Sequence, residues 1–187
     1  RREIAGVGWR LCKAWEELPQ VTIVAIEGYA VGGGLAIAVA CDWRVIASNA
    51  FVSLPEIALG IPLTWGAIPR LTALVGPSRA KRLTILCERL SAADALAMGL
   101  VDHVTPPGGA LAKAADLAQQ VLAMPAAAVR MSKATVNAVA TAGHLGQVAA
   151  LLHDRMTESA VASREEAFSL FGELEPAPME HVDIVGT

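Results

Sequence analysis

The stretch Ile26-Glu27-Gly28-Tyr29-Ala30-Val31-Gly32-Gly33-Gly34-Leu35 sets a glycine-rich turn between two apolar segments of different character. Before it, Val21 to Ile26 is apolar and rich in β-branched residues without alternation, which predicts a strand covered on both faces. After it, Leu35 to Cys41 is apolar all round and predicts a buried helix. Trp43 to Ala47 and Phe51 to Ser53 read as short strands. Strand, turn, helix and strand in such close succession make an α/β unit. Upstream, Ile4, Val7, Leu11, Trp15 and Leu18 recur at three- and four-residue steps, an amphipathic helix ending at Pro19.

Downstream, Pro55-Glu56 opens an irregular stretch carrying Gly60, Pro62 and Gly66, the kind of chain that lies against a pocket or an interface. Ile68 to Val75 is predicted helical and stopped by Gly76-Pro77, with a second helix from Ser78 to Cys87. Ser91-Ala92-Ala93-Asp94 has the spacing of a capping box for a helix that closes near Gly99, and Val101 to Val104 reads as a strand. Pro106-Pro107-Gly108-Gly109 is the best boundary, beyond which the chain turns alanine-rich and helical in pattern. The expected organisation is therefore an α/β core over 1–105, a helical C-terminal region over 106–175 and a loose tail over 176–187. Within the helical region the pattern places helices at 110–124, 126–140 and 144–159, with a further capped one starting at Ser163.

Bulk properties exclude several classes. Apolar residues make up 54% of the chain, enough for a sizeable core, and the net charge of −3 with no basic stripe argues against nucleic acid as a partner. Mean hydropathy is +0.47, yet the uncharged run from Gly28 to Cys41 falls short of the ~18–20 residues a membrane span needs, so no membrane partner is expected. Arg1-Arg2-Glu3 leads into an amphipathic stretch rather than a signal peptide. Cys12, Cys41 and Cys87 are odd in number and set among apolar residues, which reads as reduced thiols in a cytoplasmic protein. His103, His144, His153 and His181 are scattered, without the i, i+4 pairing that shares a metal, and no metal is expected. Arg79, Lys81 and Arg82 could meet phosphates, but such a trio is more often a solvated helix face.

Two features carry chemistry. Glycines at 32–34 before a helix allow close backbone approach, and the helix start offers unpaired N–H groups suited to a phosphate or a developing oxyanion. The triplet serves equally as a tight turn that lets helix and strand pack. It does not match a dinucleotide fingerprint, since the sixth position from Gly32 is Ile37, nor a P-loop, since no lysine follows. Glu56, within Leu54-Pro55-Glu56-Ile57-Ala58-Leu59-Gly60, is a carboxylate amid apolar neighbours; such a group has its pKa raised toward the range that suits proton transfer. Its plainer reading is a surface glutamate or a cap.

The run Ile26 to Leu35 with Cys41-Asp42, then Phe51 to Gly60, Pro69-Arg70-Leu71, Val75-Gly76, and Ala93-Asp94-Ala95 with Met98-Gly99-Leu100-Val101, resembles the enoyl-CoA hydratase/isomerase (crotonase) superfamily. The match runs from Val21 to Val104 and is highly specific; the helical remainder, Met131-Ser132-Lys133 included, is less diagnostic. The resemblance implies a crotonase-like α/β spiral of short βα units with a helical C-terminal region. It also implies an acyl-CoA thioester substrate with no separate cofactor, and a homotrimer or a pair of trimers. Gly33 would supply one N–H of an oxyanion hole, with Gly32, Gly34, Thr64 and Trp65 around the substrate, and Glu56 takes the place of the family's downstream catalytic glutamate.

Departures from the family pattern shape the functional expectation. Hydratases of the family carry a second glutamate where this chain has Ala36, and a methyl group orients no water. That favours an isomerase, in which one glutamate moves a proton between two carbons, over a 2-enoyl-CoA hydratase with a different second acid. A catalytically silent acyl-CoA-binding or assembly subunit is the rival from another class. No aspartate lies in Ile61-Pro62-Leu63-Thr64, which argues against dehalogenation, and Trp65 narrows the acyl pocket or serves as a core or interface tryptophan. The family's second oxyanion donor and its CoA contacts come from strands preceding the first helix, which this sequence does not contain; one lost donor costs ~3 kcal/mol of transition-state stabilisation elsewhere.

Overall fold

The computed structural model describes residues 2–142 and 182–186. Helix α1 (Arg2–Glu16) leads into β1 (Thr22–Ile26), β2 (Tyr29–Val31), α2 (Gly33–Ala38), β3 (Trp43–Ala47), β4 (Phe51–Ser53) and a 3-10 turn at Ile57–Leu59. There follow α3 (Ala67–Ile85), β5 (Leu90–Ser91), α4 (Ala92–Ala97), β6 (His103–Thr105), α5 (Ala110–Leu122), α6 (Ala126–Ala142) and β7 (Val182–Gly186). One sheet has the order β6-β3-β1-β7, parallel except for β7, which runs antiparallel to β1. A smaller sheet has the order β2-β4-β5, with β2 and β4 parallel and β5 antiparallel to β4. No helix among the described residues is long and apolar enough to cross a membrane.

β1 is buried on both faces, as its unbroken apolar run predicts. Val24 and Ile26 join the main core with Leu35, Leu54, Leu71, Leu83 and Leu100. Ile23 and Ala25 face the other way, onto Val45 and the α5 stripe of Ala110, Ala114 and Ala118. Small residues at every fourth position let the helix axis lie close to the sheet. The chain beyond the Pro106 boundary is therefore no separate body at its start, since α5 closes the second face of the core. Glu27 seals that junction. Its Oε1 accepts the N–H of Ala110 (2.7 Å) and its Oε2 that of Gly108 (2.8 Å), satisfying groups a helix start leaves open.

Several elements differ from expectation. The glycine-rich turn contains β2, and the helix after it stops at Ala38, its last carbonyls taken by the tight turn through Cys41. The two helices expected around Gly76-Pro77 are halves of α3, which bends where Gly76 adopts φ 78, ψ 164; Pro77 then opens the second half without needing its missing N–H. The tail expected to be loose carries β7, because its β-branched run meets the open edge of β1 and pairs with it from Thr22–Gly186 to Ile26–Val182. The capping box forms as read: Ser91 Oγ accepts the Asp94 N–H (3.2 Å) and donates to its carboxylate (2.6 Å). The helices expected at 144–159 and from Ser163 lie outside the described residues.

Buried charges are held in networks. Arg44, 2% exposed, donates to the carbonyls of Leu100 (2.8 Å), Cys41 (2.8 Å) and Asp42 (3.3 Å) and pairs with Asp102 (3.1 Å). Asp42 Oδ2 accepts from the N–H (2.7 Å) and Oγ1 (3.0 Å) of Thr22 and from Lys133 Nζ (2.6 Å), which also donates to the Gln20 carbonyl (2.6 Å). This network docks α6 on the first turn of the fold.

The Lys133 side chain is only 6% exposed, so its charge depends on that partner. Asp42→Ala strands it and is expected to cost about 3 kcal/mol, whereas Asp42→Ala with Lys133→Met removes both charges and costs less than the single change. Urea unfolding of the three proteins measures the non-additivity.

Candidate active site

The parallel pairing of β2 with β4 sets Val31 opposite Ser53, so both strands release their following loops at one edge. In parallel sheets that edge is where ligand sites gather. The Gly32 N–H donates to the Ser53 carbonyl (3.0 Å) and fastens the two exits together. Gly32 then turns at φ 58, ψ −120, a conformation side chains strain against, and Gly33 begins α2. The first N–H groups of a helix, Gly33's among them, have no acceptor within it.

Glu56 follows Ser53 by one short loop. Its carbonyl accepts the N–H groups of Leu59 (3.1 Å) and Ile61 (2.8 Å), and Gly60, at φ 68, closes the turn. With its backbone held, the side chain turns to the glycine corner: Oε1 lies 2.8 Å from where a Cβ on Gly32 would stand. A second requirement for glycine at 32 thus adds to the backbone one. Glu56 Oε2 is buried without a hydrogen-bond partner. Burial pushes this carboxyl above its ordinary pKa, and its own backbone N–H offsets only part of the rise.

Trp65 covers the neighbouring glycine. The outer edge of its indole lies 2.9 Å from the place of a Gly33 Cβ, and the inner edge lies against that of a Gly8 Cβ on α1. Two helices each offer a bare backbone to one tryptophan. Glu56 and Trp65 accordingly stand over consecutive residues, Gly32 and Gly33. Gly34, one step further, has open space where a side chain would project. Thr64 is half-buried beside Trp65 in the loop and joins the site only as its neighbour in sequence.

Ala36 is buried on α2, and its carbonyl accepts the Cys12 Sγ–H (3.6 Å), so α1 backs this position. Burial raises the thiol pKa of Cys12 and takes that of Cys41 to about 11, which keeps both as inert thiols. Arg79 donates to the Met98 carbonyl (3.1 Å) and Arg82 pairs with Glu88 (3.0 Å), away from the glycine corner. Gly8 is the residue sequence reasoning missed. A single glycine in an amphipathic helix reads as a small loss of propensity, and only the tertiary partner reveals its use.

A family model described as enoyl-CoA hydratase/isomerase matches residues 7–180. A crotonyl-CoA hydratase from Syntrophomonas wolfei is 38% identical over 136 residues, covering 73% of this chain and 52% of the relative. A short-chain-enoyl-CoA hydratase from Clostridium acetobutylicum is 35% identical over the same length. The chain spans about half the length of these curated relatives. Among solved structures, an enoyl-CoA hydratase from Mycobacterium avium subsp. paratuberculosis superposes with a TM-score of 0.77 at 32% identity, over 90% of this chain and 68% of that one. A monofunctional enoyl-CoA isomerase from M. smegmatis gives 0.65 at 29% identity, over 72% and 63%. The crotonase-type fold expected from the sequence is borne out.

In an exposed helix, Gly8→Ala would add about 1 kcal/mol of stability. Against the Trp65 indole the new methyl overpacks, and a net loss of about 1–3 kcal/mol is expected instead. In a Trp65→Ala background the same change regains its stabilising sign. Thermal unfolding of the two single variants, the double variant and the parent measures both effects.

Proposed function

The chain belongs to the enoyl-CoA hydratase/isomerase family, and from that premise we propose that it carries the acid/base half of an enoyl-CoA isomerase site, with Glu56 as its proton carrier. The observation that carries the proposal is the buried, unpartnered Oε2 of Glu56 beside the Gly32–Gly33 corner. Removing a proton next to a thioester builds negative charge on the carbonyl oxygen, so a donor at that oxygen and a base at the carbon must act together. In this reading the Gly33 N–H receives the oxygen. Ionised Glu56 takes a proton from C2 of a 3-enoyl thioester, and the electron pair of that C–H bond forms the dienolate. The protonated Glu56 then returns the proton to C4, which leaves the double bond between C2 and C3. Atoms and charge balance, and one carboxyl suffices.

Ala36 supports the isomerase reading over hydration, because a buried methyl group stands where a second acid would hold water. The names of the similar curated relatives favour hydration, as a second reading in which another group activates water. Outward-facing Met131, Val136 and Val139 on α6 support an assembly of several copies.

Glu56→Gln is expected to lower 3-enoyl-CoA isomerisation by about 10²–10⁴-fold with little change in KM. Water addition to a 2-enoyl-CoA by the parent protein would instead favour the hydratase reading, and binding without turnover of either substrate would favour a silent subunit. The pH dependence has a definite sign. A carboxyl with a raised folded-state pKa binds its proton more tightly folded than unfolded. Stability is therefore highest below the unfolded pKa and declines as pH rises through the folded one. The isomerisation rate runs oppositely and rises over that interval, since the base must be ionised. Glu56→Gln is expected to flatten the first profile, read by urea unfolding between pH 4 and 8.

A further inference from the structure

Resting on the acyl-CoA reading above, we infer that Arg70 is a positioning residue for Trp65, and that the pair, anchored by Glu16, restricts the site to short acyl chains. Arg70 lies one turn into α3, behind the loop that carries Trp65. Its Nη1 donates to the carbonyls of Gly66 (3.0 Å) and Trp65 (3.5 Å). Its Nε and Nη2 donate to the two carboxylate oxygens of Glu16 on α1 (3.1 and 2.6 Å). The Arg70 side chain is 12% exposed and that of Glu16 25%, so the pair is mostly buried. Two parallel hydrogen bonds fix direction as well as distance, which a single ammonium could not do.

The fork ties the Trp65–Gly66 backbone to the helix whose Gly8 receives one edge of the indole. Gly66 stands at φ 72, and a Cβ there would lie 2.7 Å from Arg70 Nη1 and 3.2 Å from the Trp9 ring, so the loop admits the guanidinium only because residue 66 lacks a side chain. The fork borders a cavity of about 350 Å³, lined in part by Trp9, Glu16, Gly66, Arg70 and Asn137. Trp65 itself is not among the residues that line it, whereas Gly66, Arg70 and Glu16 are. With the thioester at Gly33 as proposed, the indole edge 2.9 Å from the place of a Gly33 Cβ takes up room that a longer acyl chain would need.

The test compares four-carbon and ten-carbon enoyl-CoA thioesters on the intact protein, with turnover and calorimetric binding both measured. Trp65→Ala is expected to raise the ratio of kcat/KM for the long to the short substrate about tenfold or more. Glu16→Gln and Arg70→Lys, which keep side-chain volume nearly unchanged, are expected to raise the same ratio severalfold. In the Trp65→Ala background they should have no further effect, since they act through the indole. Trp65→Phe, a milder change, should move the ratio in the same direction should the alanine variant fail to fold. A purely structural Arg70 would lower both substrates together. An unchanged ratio, or effects that add independently to Trp65→Ala, overturns this inference and leaves the proposed function standing. Absence of binding and turnover for both thioesters in the parent protein overturns both.

Discussion

The hydrogen bond from Gly32 N–H to the Ser53 carbonyl fastens the ends of two parallel strands, and the site is built on that fastening. Parallel strands send their chains away from the same edge, so a helix start and a loop that are distant in sequence begin as neighbours in space. The register admits no slack. A slip of one residue between β2 and β4 would exchange the faces of Tyr29, Ala30 and Val31 and move Glu56 off the glycine corner. Gly32 has both a positive φ and a carboxylate against the place of its missing Cβ, so any other residue there would meet strain twice over. The chemistry of the corner thus begins as a backbone problem, and glycine is its solution.

Much of this was legible because it is local. The β-branched run at Val21 to Ile26, the Gly76-Pro77 break and the Ser91 cap each announce themselves within a few residues, and each appears where read, the break as a bend rather than a stop. Glu56 was legible as a carboxylate in apolar company, and the triplet as a turn of close approach. What escaped the sequence is pairwise and long-range. Gly8 gains its meaning from Trp65, Glu27 from the start of α5, and Asp42 from Lys133, each partner lying in another element. The strand at Val182–Gly186 escaped for the same reason: strand propensity near a chain end becomes structure only where an open edge is available, and β1 supplies it.

The carboxylates divide by company. Glu16 is held by Arg70, Glu27 by two helix-start N–H groups, Asp42 by Thr22 and Lys133, and Asp102 by Arg44. Each joins segments that the chain separates. Glu56 forms no ion pair among the described residues, and its inner oxygen is bonded to nothing. A buried acceptor without a donor is unfavourable for folding and is retained where another demand outweighs that cost. The proton transfer proposed for Glu56 is such a demand, because a carboxylate already satisfied by a cation would have too little affinity for a substrate proton.

The same corner explains why a single carboxyl carries the proposed chemistry. In the proposed reading Ala36 and Glu56 take the two positions from which side chains would serve a thioester at Gly33, and Ala36 is a buried residue whose carbonyl accepts the Cys12 thiol. A site with two carboxyls can hold a water between them and add it across a double bond. A site with one, roofed by an indole, has less to offer water and more to offer a proton that leaves one carbon and returns to another. The asymmetry between residues 36 and 56 and the indole beside Gly33 therefore point the same way. The burial that already raises the Glu56 pKa acts in the same direction, since charge interactions strengthen as water is removed.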